Sequence, residues 1–479
     1  MNRLHQTSLK NPAIPAAEHP EKEIHQQPCQ KTPRLIRHNP NADASHNTVA
    51  LILAGGRGSR LQPLTQRRCK PAVPFGGGFR IIDFTLSNCI NSGIRRIGVF
   101  TQYEQYSLIR HLQKGWNFLY RDYDEFIDVM PAQQRYSDNW YQGTADAIAQ
   151  NQEFLKRLSP EFTLILAGDH IYMADYRRMI QQHVISDADV TIACCAIPLE
   201  TAGQFGIAET NERGRIVRFQ EKPDNPSGIK GRPGLAQASM GLYLFKTELL
   251  LECLAEDSRK PGSRHDFGAD VIPALVTSHN VMAYAFEQAQ TEDYWRDVGT
   301  IDAYYEANMQ LLDPEPSIDL NNRDWPIHTY VSNAFPTHFA VDSLGHRGLA
   351  TDCIVGSGCT LYGSQVRHSI LFSDVQISEQ SQVDNSLILP GAVIGKRCRI
   401  RNAIIDSHTR IEDGTEIGYD ENSDAIHYRI SEKGIVVVTP GDIGNVELML
   451  RRAERKTFAE TDTLLESSTS VQFTLSRSD

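Results

Sequence analysis

The sequence lacks the apolar runs that would place it in or across a membrane. Its start, MNRLHQTSLKNPAIPAAEHPEKEIHQQP, contains no apolar core of the length that a signal peptide needs. Nothing downstream approaches the roughly 20 consecutive apolar residues of a transmembrane helix. We therefore expect a protein that is neither secreted nor bound to a membrane, and we place it in the cytoplasm.

Cysteine is scarce and shows no pairing pattern. The nine cysteines are odd in number and scattered, with Cys194 and Cys195 adjacent, and no C-x-x-C spacing occurs. This arrangement predicts neither a disulfide framework nor a cysteine-based metal site. It is typical of proteins in a reducing compartment.

Basic charge is also in deficit, since 48 Lys and Arg face 59 Asp and Glu for a formal net charge of −11. This balance argues against non-specific nucleic-acid binding. Any basic patch must therefore be local and directed at a particular anion.

A chain of 479 residues is too long for one hydrophobic core, and changes of pattern divide it. Short β-like runs alternate with amphipathic segments over residues 47–311. This alternation predicts an α/β domain of Rossmann-like type, with a mostly parallel sheet and helices on both faces. The other predicted segments are a disordered tail over 1–46, a linker over 312–350, a solenoid with a regulatory and assembly region over 351–454, and a disordered tail over 455–479.

Aliphatic residues recur six apart beyond residue 351, as in Ile377, Val383 and Leu389, or in Ile394 and Ile400. A hexapeptide period predicts a parallel β-solenoid in which about three repeats make one three-sided coil. A set of ordinary short strands between turns is the alternative.

The motif around which we interpret the rest is LILAGGRGSRLQPLTQRRCKPAVP at residues 51–74. A buried strand leads into Gly55, Gly56 and Gly58, whose backbone N–H groups can approach phosphate oxygens because no β-carbon intervenes. Arg60 and Lys70 supply the positive charge that a triphosphate requires. The turn is neither a P-loop nor a GxGxxG fingerprint, and by itself it could be only a tight strand–helix connection.

Two acidic residues follow strand-like runs far apart in the sequence. Asp169 ends TLILAGDH, so a buried strand delivers a carboxylate to its carboxyl end, and Asp297 lies in YWRDVGT. If they converge, they can hold a Mg2+ ion that bridges nucleotide phosphates and the attacking group. Each could instead cap the helix that follows it.

A second polar group is expected to form a sugar-phosphate pocket. Lys222 in FQEKP suits a monophosphate, and the adjacent Glu221 can accept hydrogen bonds from sugar hydroxyls. The other candidates are Tyr141, Gly206, Ser239 and Asp266.

Taken together, these stretches resemble bacterial ADP-glucose pyrophosphorylases, the glucose-1-phosphate adenylyltransferases of glycogen synthesis. The resemblance covers roughly residues 48–440 and includes LILAGGRGSRL, KPAVPFGG, NCINSGIRRIGV, ILAGDHIY, ASMGLYLF, HDFGAD and YWRDVGT. It implies ATP and glucose 1-phosphate as substrates, Mg2+ as cofactor, a C-terminal left-handed β-helix and a homotetramer.

The resemblance also implies roles for single residues. Arg60, Lys70 and the glycines would contact the triphosphate, and Asp169 with Asp297 would hold the metal. The residues implied for glucose 1-phosphate are Tyr141, Gly206, Glu221, Lys222, Ser239 and Asp266.

The sequence departs from the best-known enterobacterial pattern near the glycine loop. Arg67 stands where that pattern has a lysine, and Pro74 and Gly78 replace a histidine and a lysine. We expect regulation by small anionic metabolites, with a compact monophosphate or a carboxylate favoured over a bisphosphate because two donors are lost. The arginines assigned to this effector site are Arg67, Arg68, Arg80, Arg157, Arg401 and Arg429.

Two rival interpretations stand beside this one. The chain could be a pyrophosphorylase that makes another nucleotide sugar, or a non-catalytic regulatory paralogue that keeps the fold. All the charged residues expected in the site are present, which favours catalysis.

Overall fold

The computed structural model describes residues 44–119, 124–133, 140–286, 294–331 and 333–443. Residues 44–46, predicted to belong to a disordered tail, form a helical turn, and the rest of both predicted tails lies outside the described residues. Over the ranges just given, no helix combines the length and apolar character needed to cross a membrane.

A nine-stranded sheet forms the centre of the first domain. Along β1 (Thr48–Leu53) buried residues alternate between two apolar clusters, with Ala50 and Ile52 in one and Val49 and Leu51 in the other. A strand buried on both faces is what a parallel sheet covered by helices requires.

The remaining strands of this domain are β2 (Pro74–Phe75), β3 (Phe79–Arg80), β4 (Arg96–Thr101), β5 (Phe126–Pro131), β6 (Phe162–Ala167), β7 (Ile171–Met173), β8 (Val190–Pro198), β9 (Gly206–Thr210), β10 (Ile216–Glu221), β11 (Leu235–Lys246), β12 (Val281–Phe286) and β13 (Tyr294–Arg296). Its α-helices span Ile81–Asn91, Tyr106–Gly115, Thr144–Ala149, Gln152–Leu158, Tyr176–Ile185, Thr247–Asp257, Ile272–Val276 and Ile301–Met309.

The sheet order is β10-β9-β11-β6-β1-β4-β5, and β8 pairs with both β11 and β12. β1 lies parallel to β4 and β6, and β4 lies parallel to β5, whereas β11 joins β6 antiparallel. The α/β class is confirmed. Because β1, β4 and β6 run in one direction, their carboxyl ends meet at one edge, where ligands bind in such sheets.

The second domain is a parallel β-helix, as the hexapeptide period predicts. Strands one coil apart pair in parallel register, and the hydrogen bonds that join equivalent positions connect residues 17 apart. Most of the aliphatic residues of the period point into its interior, including Ile377, Val383, Ile394 and Ile400. The left-handed β-helix implied by the resemblance is consistent with this arrangement.

The strands of the β-helix are β14 (His338–Ala340), β15 (Leu349–Val355), β16 (Thr360–Tyr362), β17 (Gln365–Leu371), β18 (Gln376–Ile377), β19 (Gln382–Asp384), β20 (Leu387–Ile388), β21 (Val393–Ile394), β22 (Arg399–Arg401), β23 (Ala403–Ile405), β24 (Arg410–Ile411), β25 (Glu416–Ile417), β26 (Arg429–Ile430) and β27 (Val436–Val438). Helices Glu421–His427 and Pro440–Ile443 accompany them.

The linker predicted over 312–350 is shorter than expected, and its residues contact the first domain. β14 pairs with β16, so the β-helix already begins at His338. The residues before it are docked on helix Ile81–Asn91: Trp325 Nε1 donates to Asn88 Oδ1 at 3.0 Å, and Thr329 Oγ1 donates to Asp83 Oδ2 at 2.6 Å. The amino-acid composition of this segment indicated a domain boundary, but it could not show these hydrogen bonds.

The two domains share a hydrophobic cluster. Phe75 and Tyr304 of the first domain lie in it with Ile370, Phe372 and Leu387 of the β-helix. Burial of these apolar side chains holds the β-helix against the first domain.

A buried ion pair reinforces that contact. Arg68 Nη2 donates to both carboxylate oxygens of Asp406, at 2.8 and 3.0 Å, and Nη1 donates to Ser407 Oγ at 3.3 Å. The Arg68 and Asp406 side chains are only 13% and 7% exposed. Burial raises the pKa of Asp406 although Arg68 opposes the rise, which is typical of a pair whose desolvation is costly.

We expect Asp406→Ala to lower the free energy of unfolding by about 3 kcal/mol, because it leaves the Arg68 guanidinium buried without its counter-charge. Urea unfolding at pH 7 measures the effect. Lys433→Ala is the matched control, since Lys433 and Glu306 form an exposed ion pair between the same two domains. The control should lose far less stability. Equal losses in the two variants would show that the Arg68 pair is no more than another surface contact.

Candidate active site

Three parallel strands deliver their carboxyl ends to one cavity of about 520 Å³. The glycine loop follows β1, Gln102 follows β4 and Asp169 follows β6. All three line the cavity, so the topology alone assembles the phosphate-binding elements predicted from β1 and β6.

The glycines of the loop serve different purposes. Gly58 has φ +59°, and a Cβ there would lie 3.1 Å from both Lys70 Cβ and Thr65 Cγ2, so neither the dihedral nor the space favours a side chain. Gly56 has no atom within 4 Å of its would-be Cβ. Its backbone is therefore open to a ligand, whereas a Cβ on Gly55 would lie 3.2 Å from Gln102 Cβ.

Lys70 lies at the centre of the site. Its ammonium group donates to Asp169 Oδ2 at 3.2 Å and to Asp297 Oδ1 at 3.1 Å. The residue is only 5% exposed. The two carboxylates, which the sequence places far apart, are thus brought to one cation.

Pairing of β7 with β13 explains the convergence. Arg296 is in register with Ile171 in this antiparallel pair. Asp169 precedes β7 by two positions and Asp297 follows β13 directly, so both carboxylates lie at the same end of the pair.

The electrostatics of the site favour the ionised forms of Lys70 and Asp169. Burial tends to lower the pKa of Lys70, but Asp169 and Asp297 raise it above its usual value. Loss of solvation would raise the pKa of Asp169, but Lys70 and His170 lower it to about 2. Each of these two groups is therefore stabilised in its charged form by its neighbours.

Neither carboxylate caps a helix, which was the alternative for both. Asp175 caps helix Tyr176–Ile185 by accepting from Arg177 N. Thr300 caps helix Ile301–Met309 by accepting from Ala303 N. Because other side chains occupy the caps, both carboxylates remain available to the site.

Arg60 lies next to Asp297 and is largely exposed to solvent. Its Nη2 is 3.8 Å from Asp297 Oδ2, and its side chain is 61% exposed. A guanidinium that is solvated and loosely paired can turn toward an incoming anion at little cost.

The second half of the cavity is acidic. Glu221 and Asp266 both line it. Burial raises the pKa of Glu221, Lys222 opposes the rise and Asp266 adds to it. Two neighbouring carboxylates offer only acceptors, which suits a ligand rich in hydroxyl groups.

The absence of a side chain at Gly206 leaves space for the side chains of Phe219 and Glu221. It faces Glu221 across the β9–β10 pair, and a Cβ on it would lie 2.6 Å from Phe219 Cζ and 2.8 Å from Glu221 Oε2. Gly268 is similar, since its Cβ would lie 2.5 Å from the same Glu221 oxygen. The structure places Gly206 behind Glu221, outside the residues that line the cavity.

The three other residues predicted for this half have separate contacts. Lys222 holds φ +46°, a strained value for a non-glycine residue, and its ammonium group is 3.4 Å from Glu221 Oε1. Tyr141 lines the cavity while its hydroxyl donates to Pro131 O at 3.2 Å. Ser239 is buried and accepts from Gly241 N, so it shapes the β11 turn.

Sequence reasoning missed several lining residues, notably Gln102, Thr144 and Phe267. Gln102 could have been found, because it directly follows the parallel strand β4. Thr144 and Phe267 lie in the same stretches as the predicted residues Tyr141 and Asp266, and a hydrogen bond from Phe267 N to Thr144 Oγ1 joins those stretches.

A larger depression of about 730 Å³ lies at the opposite ends of the strands, near Phe162 and Lys246. It contains none of the glycines or paired carboxylates described above. The smaller cavity is therefore the candidate active site.

Three of the six arginines assigned to an effector site have partners within the protein. Arg68 is paired with Asp406, and Arg80 Nη1 donates to Ser107 O at 3.1 Å. Arg401 Nε donates to Gly418 O at 2.7 Å, with its guanidinium over the Tyr419 ring. The remaining three, all exposed, are Arg67, Arg157 and Arg429.

Comparison with known families agrees with the two domains. The nucleotidyl transferase family model matches residues 49–314, and the model of a GlmU-like C-terminal hexapeptide domain matches residues 335–438. The second match begins close to β14, which supports the corrected start of the β-helix.

Curated relatives are similar over most of the chain. A glucose-1-phosphate adenylyltransferase of Methylococcus capsulatus is 50% identical over 402 residues, which is 84% of this chain and 95% of that protein. Proteins of the same name from Methylobacillus flagellatus and Teredinibacter turnerae are 49% and 47% identical, covering 94% and 96% of their lengths and 83% and 84% of this chain.

Proposed function

Because the chain belongs to the nucleotidyl transferase family, in the group that contains the glucose-1-phosphate adenylyltransferases, we propose that it makes ADP-glucose and diphosphate from ATP and glucose 1-phosphate. The observation that carries this proposal is the two-sided cavity. One side offers open backbone and Lys70 to phosphates, and the other offers Glu221 and Asp266 to sugar hydroxyls.

The reaction requires no nucleophile from the protein. A phosphate oxygen of glucose 1-phosphate forms a bond to the α-phosphorus of ATP, and the bond from that phosphorus to the bridging oxygen breaks as diphosphate leaves. The site must therefore align two anions and neutralise charge on the leaving group. Lys70 and the more exposed Arg60 supply positive charge for the second task.

The residues fit a Mg2+ ion held by Asp169 and Asp297. Lys70 faces both carboxylates and so offsets only one of their two formal negative charges, and Arg60, exposed and 3.8 Å from Asp297, is only loosely paired with them. A bound metal ion would offset the remaining charge and part of the charge of a triphosphate. Within the described ranges no group of three or more His, Cys, Asp or Glu side chains could hold a metal. Two carboxylates with substrate phosphates are the usual Mg2+ environment, and the bound ion would supply charge neutralisation.

The proposal predicts that the purified protein releases diphosphate with ATP and glucose 1-phosphate, and much more slowly with other pairs. Initial rates with each nucleoside triphosphate and each sugar 1-phosphate measure this. Preference for another pair would identify a different nucleotide-sugar pyrophosphorylase. Absence of turnover with every pair would favour a non-catalytic paralogue.

Asp169→Asn tests the carboxylate at the end of β6. The amide keeps the shape but loses the charge, so we expect turnover at saturating substrate to fall on the order of a hundredfold, with little change in melting temperature. Asp175→Asn is the matched control, because Asn caps a helix as well as Asp does. A variant Asp169→Asn that melts early but turns over normally would assign this carboxylate a structural role.

Regulation by a small anionic metabolite also belongs to the proposal, and the contacts of the arginines favour a site near Arg67. Arg67 is exposed beside Arg68, and Arg68 lies close enough to Arg80 to affect the pKa of Arg80. Burial lowers the pKa of Arg80, Asp83 opposes this and Arg68 adds to it. With Arg68 neutralised by Asp406, few donors remain, which supports a monophosphate or a carboxylate over a bisphosphate.

Initial rates against a panel of glycolytic anions should reveal an effector whose action is weakened by Arg67→Ala. Arg213→Ala, which removes another exposed arginine at the turn between β9 and β10, should leave the response intact. Strongest activation by fructose 1,6-bisphosphate would contradict the count of donors. A panel without effect would leave Arg67 as a solvated side chain.

A homotetramer in the cytoplasm completes the proposal. Exposed apolar side chains near the first coil of the β-helix support association with other copies of this chain, among them Phe335 at 86% exposure and Leu344 at 69%. The eight free cysteines among the described residues support a reducing compartment. A solution mass measurement that gave a monomer would overturn the tetramer.

A further inference from the structure

The segment that carries Asp266 is tied to the end of a neighbouring helix by a buried carboxylate. Asp257 is the last residue of helix Thr247–Asp257, and its side chain is only 8% exposed. It accepts from His265 Nδ1 at 2.7 Å and from Ser263 Oγ at 2.6 Å. A carboxylate at the negative end of a helix is unfavourable by itself, so these two donors stabilise it there.

His265 is held in a conformation that non-glycine residues rarely adopt. Its φ is +55°, in the left-handed region. Its backbone N–H donates to Ser263 Oγ at 3.0 Å, so the serine that contacts Asp257 also contacts this backbone. Strain of this kind persists only where surrounding contacts impose it, and it is found preferentially at functional sites.

The backbone of His265 contacts the start of a helix that lines the candidate active site. Its carbonyl accepts from Ala145 N at 2.8 Å and from Asp146 N at 3.4 Å, which satisfies free donors at the start of helix Thr144–Ala149. A Cβ on Gly143 would lie 2.2 Å from this carbonyl oxygen, so only glycine allows the approach. The position of His265 therefore sets the position of the helix start.

Asp266, the next residue, is fixed through both of its carboxylate oxygens. Thr144 Oγ1 donates to Oδ2 at 3.0 Å, and Ala269 N donates to Oδ1 at 3.0 Å. Thr144 Oγ1 also accepts from Phe267 N, so the cavity-lining loop and the start of the helix are joined. The wall of the sugar side is thus one connected unit.

We propose that His265, oriented by Asp257, is a positioning residue for the sugar-phosphate half of the site. The inference rests on the proposed function. The imidazole is outside the cavity lining, and it acts by holding Asp266 and the start of helix Thr144–Ala149 in place. Loss of the hydrogen bond between His265 and Asp257 should therefore weaken the binding of glucose 1-phosphate and leave the nucleotide half of the site unchanged.

His265→Ala should raise the KM for glucose 1-phosphate about tenfold, as removal of supporting contacts often does, while the KM for ATP and kcat change less than about twofold. His265→Asn is the rescue variant. Asparagine carries an amide nitrogen on Cγ, where imidazole carries Nδ1, and it tolerates left-handed φ. It should recover most of the lost affinity. Ser263→Ala, which removes one donor to Asp257, should give a smaller rise in the same KM.

Two further variants serve as controls for this measurement. His346→Ala breaks a similar pair, His346 Nδ1 with Asp342 Oδ2 at 2.8 Å, in a turn near the first coil of the β-helix, and should leave every constant unchanged. Lys222→Ala removes a proposed phosphate contact and gives the size of a direct loss.

Three results would overturn the inference: an unchanged KM for glucose 1-phosphate in both His265→Ala and Ser263→Ala, an equal rise in both KM values, or no recovery in His265→Asn at an unchanged melting temperature. In each of these cases the proposed function would still hold if the wild type turns over glucose 1-phosphate and Lys222→Ala raises the KM for it. A wild type inactive with glucose 1-phosphate would remove the proposed function and this inference together.

Discussion

A single buried ammonium group joins the parts of the catalytic domain that matter most. Lys70 is shared by Asp169 and Asp297, which lie 99 and 227 residues further along the chain. The two carboxylates that face this cation offset the cost of its burial, and the cation in turn reduces the repulsion between them. The glycine loop, the end of β6 and the end of β13 are therefore mutually dependent.

The surroundings of Lys70 are constrained from two further directions. Gly58 packs against its Cβ from the glycine loop, and Arg68, two residues before it, is paired with Asp406 of the β-helix. The segment that carries the central cation is thus positioned by its own domain and by the next one. Preorganisation of this kind is what an enzyme needs when its task is to align two anions.

The sequence was informative where local pattern decides structure. The buried run of β1, the glycines after it and the carboxylate after β6 were recognisable because strand ends and ligand sites coincide in parallel sheets. The hexapeptide period likewise predicted the β-helix. Long-range contacts could not be predicted from the sequence: it gave no sign that Arg68 pairs with Asp406, or that the segment before His338, predicted as a linker, is docked on the first domain. The effector role of Arg68 stays a prediction. The substrate roles of Lys222 and Asp266 stay predictions.

The regular coil of the β-helix limits how its length can vary. From β17 to β25, residues that face one another in successive coils are 17 apart, whereas between β15 and β17 they are 16 apart. A shift of one residue within a strand would turn interior aliphatic residues outward, so the turns must absorb such a difference, whereas insertion of a whole coil preserves every facing pair. Several coils contact the first domain, among them those of Ile370, Leu387 and Asp406. Variation in the length of this domain should therefore come in complete coils and should spare the coils that contact the catalytic domain.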